Sequence, residues 1–592
     1  MDKLDRPIGA KENPQPEWAS DVAAAMLRAS GVKYISLNPG ASYRGFHDSL
    51  VNFNGNHDPQ MVLCLHEDHA VSVAHGYAKV TDEPMACALH SNVGLMHGLM
   101  GIFNAWCDRV PILMMGATGP VESEKRRPWI DWIHTAKDQG ALLRDYTKWD
   151  DEPRSAEAIV GSFLRATHLT RTAPKAPVYI CLDAGLQEER LTKPVAIPPA
   201  ERFGPAEDPC ASAEVVERVA DMLAKARHPV ILMGRVSRKQ EDWDRRVRLA
   251  ELLGAQVLTS LKDRSSFPTE HPLHPVSPFQ GVPAGAKDVI GQADVILSLD
   301  WVDVNGTLQQ VKRATHELAA KLVHVSLDSI LHNGWSMDYF ALPPADIPVL
   351  AGVDAFVKQI LPVLEGKLKG KAKFDRSRTK PAPELAYSEK SATQIAPKDI
   401  EVALAKARGT SKWSIAHLAL GWAGTSYQFR DPLDFLGSDG GAGLAAGPGL
   451  TVGVALALKD SDRTVISVMG DGDFMQGVSA LWTAARYSLP ALFIVSNNRS
   501  NFNDEIHQEA VARMRNRPVE NRWIGQRIDE PALDLTGIAR AQGVDAQGPI
   551  TTVPELEKAI QHGLAVVKSG KPHLIDVRVT PGYANMPAPR GE

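Results

Sequence analysis

Cysteine is scarce: Cys64, Cys87, Cys107, Cys181 and Cys210 are the only five in 592 residues, and none stands in CxxC spacing. An odd, scattered set excludes a disulfide framework and a cysteine metal centre, and predicts reduced core residues of a cytoplasmic protein. A charge excess of one sign is also missing. The formal net charge is −5 with both signs interspersed, so no basic face points to nucleic acid. Long aliphatic runs are absent too. Residues 84–107 carry His90, Ser91, Asn92, His97 and Asn104, and residues 440–458 are rich in glycine, so neither reads as a membrane span. The N-terminus has no apolar signal-peptide core, and no GxGxxG follows a strand, "GRVSRKQ" (234–240) being no such fingerprint.

What is present is strand–helix alternation. The first block has "MVLCLHE" (61–67), "MACALHS" (85–91), "PILMMGA" (111–117) and "PVYICLD" (177–183). After a Pro-rich connector (193–209) come "PVILMG" (229–234), "QVLTSL" (256–261), "DVILSLD" (294–300) and "KLVHVSLD" (321–328). A basic, polar stretch (366–398) reads as an exposed linker. Beyond it lie "VISVM" (465–469), "ALFIVS" (491–496) and "HLIDVRV" (573–579). Near-continuous apolar strands separated by helical periods predict parallel sheets covered on both faces. The expectation is an α/β chain of three doubly wound parallel-sheet domains, at 1–192, 210–365 and 399–592.

The chemistry concentrates in "MGDGDFMQGVSALWTAARYSLPALFIVSNNRSN" (469–501). Gly470-Asp471-Gly472 closes one apolar strand, and Asn497-Asn498 closes the next, with 27 residues from Asp471 to Asn498. Loops after the C-terminal strand ends form the ligand crevice of a parallel sheet, and a right-handed crossover of this length makes the strands neighbours or near-neighbours. An acid and an amide there are hard oxygen donors, suited to a Mg2+-like ion that also holds phosphate oxygens. Gly470 and Gly472 are expected to let backbone approach a bulky anion, with the helix after Asp473 aiming its N-terminal amides at it.

This pairing of GDG with NN resembles thiamine diphosphate-dependent enzymes of the decarboxylase and acetohydroxyacid synthase group, and the resemblance runs over nearly the whole chain. It implies a pyrimidine-binding, a central and a diphosphate-binding domain, with thiamine diphosphate and Mg2+ as cofactors. Asp471, the Asn498 side chain and the Ser500 carbonyl would hold the metal, with Gly470 and Gly472 beside the diphosphate. Asp473, where several members have Ser, is expected to point away from the diphosphate or to bind the metal's water shell. Glu67 would hydrogen-bond a ring nitrogen of the aminopyrimidine, in an apolar pocket where its protonated form is accessible. Gly76 to Ala78 supply the GYA expected after it. Leu444 would wedge beneath the cofactor.

Among these enzymes the motifs are most similar to benzoylformate decarboxylase. His90 lies 23 residues after Glu67, within "ALHSNVGLMHGLMGIFNAW" (88–106), and is expected to move protons near neutral pH. Two features depart from that pattern. Ala41 in "NPGAS" (38–42) stands where a catalytic Ser belongs, with Ser42 next to it. Trp301, Val302 and Asp303 follow "DVILSLD" where a second His is expected. The resemblance implies a C–C bond-cleaving enzyme acting on a 2-oxo acid or related carbonyl substrate. Its alternatives are an acetolactate synthase-like carboligase and a 2-hydroxy ketone lyase. It also implies a homodimer or homotetramer with active sites between subunits. The middle domain binds flavin in the synthases, but nothing in 211–365 argues for it here, and no required flavin is expected.

Overall fold

The computed structural model describes residues 5–9, 14–315, 319–331, 342, 344–370 and 372–582. The tail from 583 lies outside the described residues. Three parallel sheets follow one another. The first holds β1 (Tyr34–Leu37), β2 (Gln60–Leu63), β3 (Met85–Leu89), β4 (Ile112–Thr118), β5 (Trp149–Asp151) and β6 (Val178–Asp183), in the order β2-β1-β3-β4-β6-β5. The second holds β7 (Pro229–Met233), β8 (Gln256–Thr259), β9 (Val295–Leu299), β10 (Lys321–Val325) and β11 (Ile347–Val349), ordered β11-β10-β9-β7-β8. The third holds β12 (Trp413–His417), β13 (Thr464–Gly470), β14 (Leu492–Asn497), β15 (Asp545–Ile550) and β16 (His573–Arg578), ordered β12-β13-β14-β16-β15.

Both faces of the first sheet are packed, as continuous apolar strands require. On β3, Cys87 and Leu89 enter one core while Ala86 and Ala88 enter another. The first of these cores also contains Val452, Ala455 and Phe493, so a single apolar mass joins the first and third sheets. Burying it is the main driving force holding the two together.

Helix Glu67–Thr81 and helix Ala446–Leu458 cross at the centre of that mass, and glycines set their separation. A Cβ on Gly76 would lie 2.2 Å from the Leu450 carbonyl oxygen, and one on Gly453 would lie 2.0 Å from that of Val73. Only hydrogen fits at either point. Hydroxyls add cross-links: Ser479 Oγ lies 2.8 Å from His69 Nδ1, and Tyr487 Oη accepts the Leu63 N–H at 2.9 Å.

Several expectations are corrected. β1, β5, β11, β12 and β15 have no counterpart in the sequence reading. β5 and β11 have only three residues, and β15 is interrupted by Gly548-Pro549, so none offers a clear apolar run. Stretch 366–398 is largely exposed, but it is anchored at two points. Phe374 and Ile395 are buried, and Ile395 bridges to Val579. All five cysteines are free, but Cys210 is exposed rather than core. Trp106 and Trp301 are packed, with Trp301 Nε1 donating to Thr307 Oγ1 at 2.9 Å. Among the described residues no helix is long and apolar enough to cross a membrane.

Candidate active site

The first cluster forms at the C-terminal ends of β1, β2 and β3. His66 caps helix Glu67–Thr81, its Nδ1 accepting the Asp68 N–H at 3.1 Å, which places Glu67 at the first helical position. Glu67 is 5% exposed. Its Oε2 lies 3.2 Å from His97 Nδ1, and its carboxylate also accepts a side-chain hydrogen bond from Asn38. Burial raises the Glu67 pKa, but Asn38, its own backbone N–H and His97 together outweigh it and leave the pKa below the ordinary glutamate value.

His90 follows β3 directly and precedes helix Ser91–Cys107. Its Nδ1 lies 2.8 Å from Ser42 Oγ, and Ser42 Oγ accepts the Ser91 N–H at 3.0 Å. His134 meets it edge-on, with ring centroids 4.7 Å apart. Burial, and next the neighbouring His134, hold the His90 pKa below the ordinary value. The space at Gly94 ties this group to Glu67: a Cβ there would lie 2.8 Å from Glu67 Oε1 and 3.0 Å from His90 Cβ. Glu67 and His90 thus face one volume. Ala41 is exposed and lines a cavity of about 440 Å³ with Pro39, Gly40, Arg44 and His47.

The second cluster lies on the third sheet. β13 and β14 are hydrogen-bonded neighbours with Gly470 opposite Ser496, so Asp471 and Asn498 leave adjacent strand ends. Asp471 accepts the Gly472 N–H at 2.9 Å and the Arg499 N–H at 2.5 Å, while the Asn498 side-chain oxygen accepts the Ser500 N–H at 2.9 Å. Ser500 is buried. Asn497 donates to Asp576 at 2.9 Å, and its side-chain oxygen accepts the Arg499 N–H at 3.2 Å. The helix begins at Asp471, three residues earlier than expected, and spans Asp471–Gly477. Gly472 is crowded by Asn501, but nothing approaches Gly470, whose φ of −73° any residue adopts. Crowding therefore does not require glycine at Gly470; open space faces it instead.

Asp473 is buried. It accepts the Ala445 N–H at 2.8 Å, and its other oxygen lies 3.6 Å from His417 Nε2. Leu444, next to Ala445, is 46% exposed. Three non-glycine residues with positive φ fall in these clusters: Ser91 at 22°, Ala445 at 85° and Arg499 at 62°. Such strain persists where surrounding structure fixes it, and it gathers at functional sites. Among the described residues no hydrogen bond or ion pair links Glu67 to Asp471 or Asn498.

Three domain models match the chain in order: the N-terminal TPP binding domain of thiamine pyrophosphate enzymes over residues 17–142, their central domain over 216–360, and their C-terminal TPP binding domain over 419–577. The chain belongs to the thiamine pyrophosphate enzyme family, in its decarboxylase and acetolactate synthase group. A benzoylformate decarboxylase of Pseudomonas aeruginosa is 26% identical, over 93% of this chain and 97% of its own length. A probable acetolactate synthase large subunit of Methanocaldococcus jannaschii is 24% identical, over 95% and 92%. The crystal structure of benzoylformate decarboxylase from Polynucleobacter necessarius superposes with a TM-score of 0.77 at 19% identity, covering 96% of this chain and all of that one. A thiamine diphosphate-dependent 4-hydroxybenzoylformate decarboxylase of Rhodococcus jostii gives 0.75 at 22%, with the same coverage. These two establish the fold.

The second cluster fits the diphosphate end of a thiamine pyrophosphate enzyme. Burial pushes the Asp471 carboxyl up to about 6, and among the described residues no cation offsets it. A buried carboxylate without a counter-charge is costly, and a bound cation removes that cost. Sequence reasoning missed Asn38, His97 and His134 as partners of the first cluster. Asn38 was within the quoted "NPGAS", but neither its target nor the two histidines carry a motif of their own.

Proposed function

We propose that the chain is a Mg2+-dependent thiamine diphosphate 2-oxo acid decarboxylase of the benzoylformate decarboxylase type. The observation that carries this reading is the approach of Glu67 and His90 to the same point at Gly94, with Ser42 bound to His90. Bound thiamine diphosphate supplies the nucleophilic carbon and the electron sink for cleavage beside a carbonyl. Asp471, the Asn498 side-chain oxygen and the Ser500 carbonyl hold Mg2+. Glu67 accepts a hydrogen bond from the cofactor's ring nitrogen and exchanges one proton there. His90 moves a proton at Nε2, since Nδ1 is turned to Ser42. Leu444, exposed beside the second cluster, offers apolar surface for the cofactor to cover.

Among the described residues no hydrogen bond or ion pair joins the two clusters. A homodimer, or a pair of dimers, in which Glu67 of one subunit faces Asp471 of another accounts for that. Exposed Val93, Met96 and Met100 on helix Ser91–Cys107 support it, because a partner would bury them.

A carboligase or 2-hydroxy ketone lyase is the second reading, favoured by Ala41. With alanine in place of the expected hydroxyl, the residues that deliver a proton are fewer, which would favour joining to a second carbonyl over protonation. Purified protein with thiamine diphosphate and Mg2+ is incubated with benzoylformate, then with pyruvate plus an aldehyde acceptor. Aldehyde release from benzoylformate, abolished in Glu67→Gln, is the expected result. Hydroxy ketone as the main product moves the assignment to the second reading, and no turnover on either overturns both.

A further inference from the structure

Three side chains with metal-ligating atoms converge at the opposite edge of the third sheet from Asp471 and Asn498. Asp545 opens β15, His573 opens β16, and the two are direct partners in the parallel ladder. His562 lies on helix Val553–Lys568, which packs over these strands. One ligating atom from each lies within 4.8 Å of the other two. Asp545 Oδ2 is 3.1 Å from His573 Nδ1 and 3.9 Å from His562 Nε2, and the two imidazole centroids are 5.3 Å apart.

His573 is the telling member. It is fully buried, with Nδ1 3.1 Å from Asp545 Oδ2 and, among the described residues, no hydrogen-bond partner for Nε2. Leaving a buried polar group unpaired costs free energy. The ring is nonetheless fixed in place. A Cβ on Gly563 would lie 2.9 Å from its Cδ2, and the His573 N–H donates to the Ala491 carbonyl at 2.9 Å. Asp545 and His562 have side chains 59% and 52% exposed, so the group opens to solvent on one side.

We propose that Asp545, His562 and His573 bind a borderline divalent transition ion such as Zn2+, with water completing a tetrahedron. Two imidazoles and one carboxylate suit Zn2+, Co2+ or Ni2+, whereas Mg2+ takes oxygen ligands. The ion satisfies the orphaned imidazole and clamps edge strand β15 to β16 and to helix Val553–Lys568. The site is separate from the cofactor clusters and stands whatever the substrate.

His66, Glu67 and His97 form a second grouping of the same kind, within the first cluster, so stoichiometry is compared across variants. Full-length protein stripped with chelator is titrated with Zn2+ by calorimetry and with Co2+ by its visible spectrum. The unmodified chain and the His66→Ala/His97→Ala variant are each expected to bind about one Zn2+ at this site with a Kd of about 10 µM or tighter. Loss of that equivalent in both His562→Ala and Asp545→Asn is expected. Saturating Zn2+ should raise Tm by about 2–4 °C in the unmodified chain but not in these two. Their side chains are exposed, so circular dichroism is expected to show the fold intact. Unchanged stoichiometry in either variant, or no binding at micromolar Zn2+, overturns the site.

Discussion

Ser42 Oγ lies 2.8 Å from His90 Nδ1, although 48 residues separate them in the chain. The same oxygen already accepts the Ser91 N–H, so its own hydrogen is free to point at Nδ1. That assigns Nδ1 as acceptor and leaves the proton of neutral His90 on Nε2. Ser42→Ala removes this orientation. Turnover should fall about tenfold or more, less than the 10²–10⁴ lost with an acid–base group itself. Because a donor to Nδ1 favours the neutral ring, the acid limb of the kcat profile should move to higher pH. An unmoved limb would reduce Ser42 to packing.

Asp471 is a buried acid without a counter-cation. Asp471→Ala should weaken thiamine diphosphate retention in Mg2+ by about 100-fold or more, and chelator treatment of the unmodified protein should release cofactor reversibly. Equilibrium dialysis of both proteins checks this. Cofactor held equally well by variant and unmodified chain would remove Asp471 from the metal set.

Gly76→Ala places a methyl group 2.2 Å from the Leu450 carbonyl oxygen. Backbone must move, at a cost of about 1–3 kcal/mol or more. Urea unfolding should show the loss, and turnover should fall as well, because Glu67 begins the same helix.

Burial holds His274 down to about 3, well below its ordinary 6.5, with Lys380 adding to the shift. The unfolded chain protonates this ring first, so its contribution is present above pH 6.5 and is lost as pH falls toward the folded value. The slope is at most about 1.4 kcal/mol per pH unit. Several raised carboxylates act in the opposite sense, so the comparison is between the unmodified chain and His274→Asn. The stability gap between them should narrow from pH 7 to pH 5. A gap that stays constant would count against a buried neutral ring.

How far the sequence reached is uneven, for physical reasons. Asp471 and Asn498 were placed on neighbouring strands correctly, because apolar runs mark β13 and β14 and crossover geometry does the rest. Glu67 at a helix start was legible from its strand and the following GYA. The charge state of Glu67 was not, since it depends on Asn38 and His97, which approach from two other elements. Ser42 was seen as a neighbour of Ala41, but its target is a side chain on another strand end. His573 and Asp545 gave no signal, because register between β15 and β16 is a long-range property. β1 and β12 were missed for want of a distinctive run, although both sit in the sheets that carry the clusters.

The glycine contacts between helices Glu67–Thr81 and Ala446–Leu458 restrict where this protein can change. Any side chain at Gly76 or Gly453 meets a carbonyl, so the joint between the cofactor-binding halves has almost no freedom to vary. The loops at Ala41, His134 and 499–527 hang beyond that joint and bear no such load. New substrate preferences can therefore arise by exchanging loop residues while the joint keeps its dimensions. On this chain the place to look for such exchanges is the wall at Ala41 and Ser42, not the helix pair behind it.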